Sequence, residues 1–384
     1  MTEKESALYS HYIIDGIRHD ATPADLLDEC MEQDEPIFHP DEVFDDIIDE
    51  SIDPPITSFI YDKEEKMKYL DQTLKAANEE RPFRMLYPEH FTCLQVAKAL
   101  LGRLWSEGHF RLGDLRLWAQ WEWNTRHIGS LSAYYRSVSA ASEYIYSLGV
   151  GLADYLFIEE DAASTARFYA WLPEVTEAEV TEEDPFLFKS SPYESRHPWI
   201  SENRKCPSTI IPDPDSWLIY IPFDTCRYKI GGSLLAQTNG HNGGKAPQIA
   251  DPDYFIDCYE VVRELVEDGL VISGVTVADG GLATAAAKIC GIYGFDADIS
   301  GIASSYQEND DIKILFGEIP GVIIQVKDND YDYVDSQLTL QDVAYYPIGH
   351  PSDSTKGLNI LNAGKPGVAG ILASLIGPAT EGED

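Results

Sequence analysis

Residues 271–290 read VISGVTVADGGLATAAAKIC: a β-branched run stops at Asp279-Gly280-Gly281 and continues at once as an alanine-rich helical stretch. A strand that enters a helix through two glycines leaves a chain few ways to fold. The strand belongs in a sheet, and the small-residue helix packs close against it. The helix's first N–H groups and the positive end of its dipole then point at one spot. Such a spot accepts an anion, so the turn is a candidate phosphate cradle. It is not a P-loop, because the spacing G-x-x-x-x-G-K-[ST] is missing. The same test fails for HNGGK at Lys245 and LNAGKPG at Lys365, and His241 reads as a loop residue.

The surrounding sequence predicts a mixed α/β body. SWLIYIPFD (216–224) has strand character, and IGGSLLAQ (230–237) is a glycine turn entering a short helix. DPDYFIDCYEVVRELVEDG (251–269) carries its own punctuation, with Asp251 as N-cap, Pro252 at the first helical position and Gly269 as the stop. Its apolar face is Phe255, Cys258, Val262, Leu265 and Val266. Strands at 321–326 and 343–349 around an acidic helix near 328–337 complete an order β-α-β-α-β-α-β. An earlier unit has helical spacing over 90–106 and 129–149 and strands over 114–123 and 154–161. Its Trp118, Trp121 and Trp123 belong to a core or a subunit interface. The group Trp121, Glu122, Trp123, Asn124, Arg126 and His127 is a candidate cleft lining.

Charge narrows the function. The 384 residues carry 66 acidic and 28 basic side chains, a formal charge of -38 that repels nucleic acid and anionic lipid. Residues 1–55 alone hold 17 acidic and 2 basic side chains. They predict a solvated extension with short helices, or a segment that docks on a protein partner through apolar pairs such as Ile13-Ile14, Leu26-Leu27 and Ile47-Ile48. The six cysteines are scattered, with no C-x-x-C pair, and read as reduced and mostly buried thiols. No run of 18 apolar residues and no secretory signal is present, which makes a cytoplasmic location the default. The expected division is an acidic extension (1–60), a first unit (61–172), an acidic proline-bearing linker (173–211), a second unit (212–352) and an apolar, glycine-rich arm (353–384).

Four motifs of the second unit occur in order: G-G-S-x-L-A-Q, the D-G-G-L turn, G-x-D-A-D-I, and L-F-x-E followed by the strand GVIIQV. In this register the chain resembles the last AIR-synthase-type module of the phosphoribosylformylglycinamidine synthases, purine-pathway enzymes that convert an amide to an amidine with ATP and glutamine. LWAQWEW, YYRSVSAASEYIYSLGV and LFIEEDAAS follow the order of the same module's first domain, so the resemblance covers about residues 85–352. It implies an α+β, two-domain architecture, with a barrel-forming N-terminal domain and a C-terminal α/β sandwich. It also implies pairing of subunits through the N-terminal strands, here Leu117 to Trp123, as a homodimer or larger assembly.

The resemblance equally shows what has changed. The family's first helix supplies an Asp, a Glu and an Asn to the metal and nucleotide, and here those places hold Tyr87, Lys98 and Gly102. No Asp, Glu or Asn occurs between Phe91 and Ser106. Where the family reads H-D-x-S-D-G-G, this chain has Thr276 for the metal-binding Asp and Ala278 for the phosphate-binding Ser. The G-K-D strand end has become Glu159-Glu160-Asp161. No cysteine sits as a glutaminase nucleophile would, so glutamine-dependent synthesis by this chain alone is not expected. The expectation is a degenerate module without catalytic residues, cofactor or metal, kept for binding or assembly. Its cleft remnants are Glu122, Asp161, Asp279, Gly280, Gly281 and Glu318, with Asp279 capping the helix after the turn and Glu318 solvated at a strand start. Under the alternative, a diverged ATP-dependent ligase, Glu122, Asp161 and Glu318 hold the Mg²⁺ of ATP.

Overall fold

A computed structural model describes residues 6–32, 63–173, 204–240, 244–352 and 357–361. Most of the acidic linker, the rest of the acidic extension including Ile47-Ile48, residues 362–384 of the arm, His241 and Lys365 lie outside them. The chain opens with a hairpin, β1 (Tyr12–Ile14) and β2 (Ile17–His19), then α1 (Pro23–Glu32), α2 (Lys63–Ala76) and α3 (Pro88–Arg103). Next come β3 (Arg116–Trp123), α4 (Ser130–Ser147), β4 (Gly151–Glu159) and β5 (Thr165–Trp171). The second half runs β6 (Trp217–Pro222), α5 (Leu234–Thr238), α6 (Pro252–Glu267), β7 (Val271–Val277), α7 (Gly281–Cys290) and β8 (Gly294–Asp298). It closes with α8 (Ser300–Tyr306), α9 (Asp311–Phe316), β9 (Gly321–Val326), α10 (Asp328–Leu340), β10 (Tyr346–Gly349), β11 (Pro351–Ser352) and β12 (Gly357–Leu361).

In the first half, β3 lies between β4, which runs parallel to it, and β5, which runs antiparallel. Leu117, Ala119, Trp121 and Trp123 alternate onto one face of this sheet and join the core that also takes residues from α3 and α4. Trp121 donates to Ser137 Oγ at 3.0 Å and Trp123 to the Ser130 carbonyl at 2.9 Å, so the buried indoles are satisfied. These four residues are core, which corrects the expectation that they form a subunit interface. No closed barrel occurs among the described residues; the sheet has three strands.

The start of the acidic extension is also not a solvated tail. The Leu26-Leu27 pair is 5% and 0% exposed, in the same core as α4, while Ile13 remains 73% exposed. Ser142 Oγ donates to the Leu26 carbonyl at 2.9 Å, and Arg136 pairs with Asp15 at 2.9 Å. The apolar pair docks on the chain's own body rather than on a partner.

In the second half, the antiparallel sheet β10-β6-β9-β7 separates two cores. Ile219, Ile221, Val322, Ile324 and Val326 face α6 and the first half, whereas Leu218, Tyr220, Ile323, Val275 and Val277 face α7, α9 and β8. Burial on both faces explains why GVIIQV carries apolar residues on both faces instead of alternating, and its one polar residue, Gln325, is buried and bonded to Ile211 and Ser216. Helix α6 is built as its sequence predicts: Asp251 caps Tyr254 N at 3.2 Å and Gly269 takes φ 72° after the last turn. Strand β8 was not among the predicted strands. The first described residues of the arm, β12, run parallel to it, so this part of the arm packs on the body. All six cysteines are free, and five are buried. Among the described residues no helix is long and apolar enough to cross a membrane.

Candidate functional site

The D-G-G turn joins β7 to α7 at the junction of the two halves. Gly280 and Gly281 have φ of 79° and 68°, a region that suits glycine. A Cβ on Gly281 would stand 2.8 Å from the carbonyl oxygens of Gly317 and Leu315. Thr73, fully buried on α2, packs directly over Gly280.

The cradle is filled from within the chain. Glu318, on the loop between α9 and β9, is 0% exposed rather than solvated. Its Oε1 accepts from Gly280 N at 2.8 Å and from Leu234 N at 2.9 Å. One carboxylate therefore takes the free N–H groups at the start of both α5 and α7, the place a phosphate would take. Its Oε2 accepts from Arg81 Nη2 at 2.8 Å. Burial raises the Glu318 pKa and the Arg81 charge works against that rise.

Asp279 does not cap α7; the N-cap is Gly280, with no side-chain bond. The Asp279 carboxylate accepts instead from Arg81 Nη1 at 2.5 Å, from Gln95 Nε2 at 2.9 Å and from Lys98 Nζ. Burial opposes its ionisation, but the Lys98 and Arg81 charges outweigh it and hold the carboxyl well below the usual range. Arg81 also donates to the Gly232 carbonyl at 2.8 Å and lies over the Phe91 ring at 5.1 Å. Desolvation alone would weaken its charge, yet the two carboxylates keep it firmly protonated.

The remaining candidates separate. Glu122 pairs with Arg167 at 2.8 Å and accepts from Gln120 at 2.6 Å. Asp161 is exposed and pairs with Arg126 at 3.0 Å. The polar-aromatic group around Trp121 is a packed turn, not a cleft lining, with Asn124 Nδ2 donating to the Asp161 carbonyl at 2.9 Å. Sequence reading missed Arg81, Gln95, Arg204 and Lys288. The only signal for Arg81 was a pair of arginines, with Arg84, in the otherwise acidic context EERPFR.

Two cavities flank the Lys98–Asp279 pair. One, of about 170 Å³, is bordered by Glu80, Arg81, Phe91, Gln95 and Arg167. The other, of about 290 Å³, is bordered by Gly102, Trp105, Arg204, Thr276, Thr284 and Lys288. Four of the places where the resemblance puts metal or phosphate ligands, Lys98, Gly102, Thr276 and Ala278, line the larger one. Thr276 Oγ1 is engaged by Trp105 Nε1 at 3.0 Å and itself reaches the Leu101 carbonyl at 3.3 Å. The fifth place, Tyr87, is buried and donates to the Gly244 carbonyl at 2.7 Å. Divalent magnesium calls for hard, unneutralised oxygen ligands, and this set does not fit it. Among the described residues no group of three or more His, Cys, Asp or Glu could hold a metal.

No model of a known protein family matches the chain. A curated relative, "Probable phosphoribosylformylglycinamidine synthase, chloroplastic/mitochondrial" of Arabidopsis thaliana, is 26% identical over 286 residues, 72% of this chain and 18% of the relative. The human phosphoribosylformylglycinamidine synthase is 28% identical over 141 residues, 34% of this chain and 10% of that protein. Among solved structures, T. maritima PurL complexed with FGAR superposes with a TM-score of 0.52 at 12% identity, over 72% of this chain and 41% of that one. The chain thus spans less than a fifth of the length of these curated relatives, and the structural likeness speaks for the fold.

Proposed function

We propose that the chain, which is similar to the phosphoribosylformylglycinamidine synthases, is a non-catalytic module of this type, retained for binding or assembly. One observation carries the reading: every candidate carboxylate faces an arginine. Asp279 and Glu318 share Arg81, Glu122 meets Arg167 and Asp161 meets Arg126. Phosphoryl transfer draws most of its transition-state stabilisation from a metal and positioned charges around the phosphates. Carboxylates consumed by internal ion pairs supply no such metal site, and a lysine beside Asp279 repels one. The division into units over 61–172 and 212–352 follows the same resemblance.

The test is calorimetric titration of the full chain with ATP, with and without Mg²⁺, together with an assay for phosphate release. The expected result is no Mg²⁺-dependent gain in affinity and no turnover. Micromolar binding that requires Mg²⁺ overturns the reading in favour of a diverged ATP-dependent amide or amidine ligase of purine-biosynthesis type. The assembly half of the proposal is a homodimer or larger assembly formed through the face of the β4-β3-β5 sheet that turns away from α3 and α4. Leu156, Ile158 and Tyr169 are half-buried there, around the buried Trp118 and Gln120. Sedimentation as a monomer at tens of micromolar would refute it.

A further inference from the structure

The larger cavity carries an inference that rests on the non-catalytic reading and assigns that site a ligand. Three cations border it: Lys98 from α3, Lys288 from α7, and Arg204. Asp279 is the one carboxylate in its lining, so three positive charges less one negative leave an excess of two. Asp279 is moreover already saturated by Arg81, Gln95 and Lys98. In a chain of charge -38, a concave site with this balance runs against the average of the surface.

The cations are positioned for an external anion. Arg204 donates through Nε to the Cys206 carbonyl at 3.0 Å and through Nη2 to the Gly274 carbonyl at 2.7 Å, and its guanidinium lies 5.2 Å from the Trp105 ring centroid. Those contacts fix the fork at the border of the cavity. Lys98 spends one of three N–H groups on Asp279. Lys288 has no ion-pair partner among the described residues, and desolvation together with the like charge of Lys98 lowers its pKa. Two ammonium groups and an oriented guanidinium around one hollow repel one another until an anion enters.

We propose that this cavity is a metal-independent binding site for a small phosphate-bearing anion, held by Lys98, Lys288 and Arg204. A phosphate monoester or diphosphate carries close to two negative charges or more at neutral pH and matches the excess, and its oxygens can accept from all three side chains at once. A carboxylate brings one charge and two oxygens. The volume of about 290 Å³ leaves room for a small body beyond the phosphate. The cation that a carboxylate site would recruit is here replaced by the Lys98 ammonium, built into the chain.

The test uses the full chain with inorganic phosphate and pyrophosphate as probes, by calorimetry at physiological ionic strength in the presence of EDTA. Saturable binding is expected, and Mg²⁺ does not strengthen it. Lys288→Glu weakens it about tenfold or more, equivalent to roughly 1.4 kcal/mol, without changing the melting temperature of the unliganded protein. Lys313→Glu, which alters the same charge away from the cavity, leaves affinity unchanged. Absence of binding with and without Mg²⁺ overturns this inference and leaves the non-catalytic reading intact. Equal binding by wild type and Lys288→Glu overturns the inference as well. Binding only when Mg²⁺ is present overturns both.

Discussion

Arg81 and Glu318 meet at 2.8 Å with side chains 7% and 0% exposed, so the carboxylate that fills the glycine turn is itself neutralised inside the protein. Removing one partner of such a pair leaves a buried charge uncompensated. Arg81→Met should therefore cost about 3–5 kcal/mol of unfolding free energy. Arg81→Met combined with Glu318→Gln should cost less than the single change, because the orphaned charge goes with the cation. Urea unfolding of the three proteins checks this, and additive losses would show that the two residues are not coupled.

Backbone geometry separates the glycines of the site. Gly281→Ala meets two carbonyl oxygens at 2.8 Å with φ 68°, and should lose about 2–4 kcal/mol. Gly102→Ala has nothing within 4 Å, and lies near the end of α3. It should be neutral or stabilise by up to about 1 kcal/mol through helix propensity. Thermal melts of both variants decide the matter. A destabilised Gly102→Ala would mean that the position still has a structural duty.

The same contrast shows what was readable in the chain beforehand. Local signals carried the strand-turn-helix at 271–290 and the capped helix α6, because Asp251, Pro252 and Gly269 act on neighbours a few residues away. The occupant of the cradle was not readable, since Arg81 lies 198 residues from Asp279 and 237 from Glu318. A glutamate at a strand start has the same sequence context whether it is solvated or buried under two helix ends. The acidic N-terminus misled for a related reason. Its net charge describes the exposed side of α1, while Leu26, Leu27 and Cys30 form a stripe on the other side that only tertiary packing reveals.

That docking gives a second test of the fold. Leu27→Ala should cost roughly 2–5 kcal/mol, since the residue is 0% exposed in the main core. Ile13→Ala, at 73% exposure, should change stability by less than about 0.5 kcal/mol. If both changes were silent in chemical denaturation, residues 6–32 would be an appendage and not part of the core.

His90 supplies a pH signature. Burial, then the Arg81 charge, push its pKa down to about 3 from the usual 6.5. Between these values the unfolded chain binds a proton that the folded chain refuses, so this group makes stability rise with pH across the window and fall on acidification. From pH 6.5 to pH 5 the loss is about 1.6 kcal/mol, because the slope grows from half of its limiting ~1.4 kcal/mol per pH unit at pH 6.5 to nearly all of it at pH 5. Glu318, with its raised pKa, acts in the opposite sense above its unfolded value, and Asp279, with its lowered one, loses stability only at lower pH. The comparison that isolates the histidine is therefore wild type against His90→Gln. The difference in unfolding free energy between the two should shrink in favour of the variant as pH falls from 6.5 to 5, and a constant difference would refute the assignment.

Lys98 holds the position at which the resemblance puts a metal-binding glutamate, and its ammonium contacts Asp279 directly. If that ammonium is what bars a cation, Lys98→Glu should reverse the selectivity of the site. Without metal, two carboxylates then share one corner with Arg81 as the cation still bonded to Asp279, and the variant should be less stable than wild type by like-charge repulsion. A divalent ion that binds only the folded state restores stability by mass action, about 1.4 kcal/mol at ten times its dissociation constant. Millimolar Mn²⁺ should thus raise the melting temperature of Lys98→Glu and leave wild type unmoved. An equal response of both proteins would place the ion elsewhere on this acidic surface. No response from the variant would mean that Arg81, rather than Lys98, closes the site to metal, which the same titration on Lys98→Glu combined with Arg81→Met would then expose.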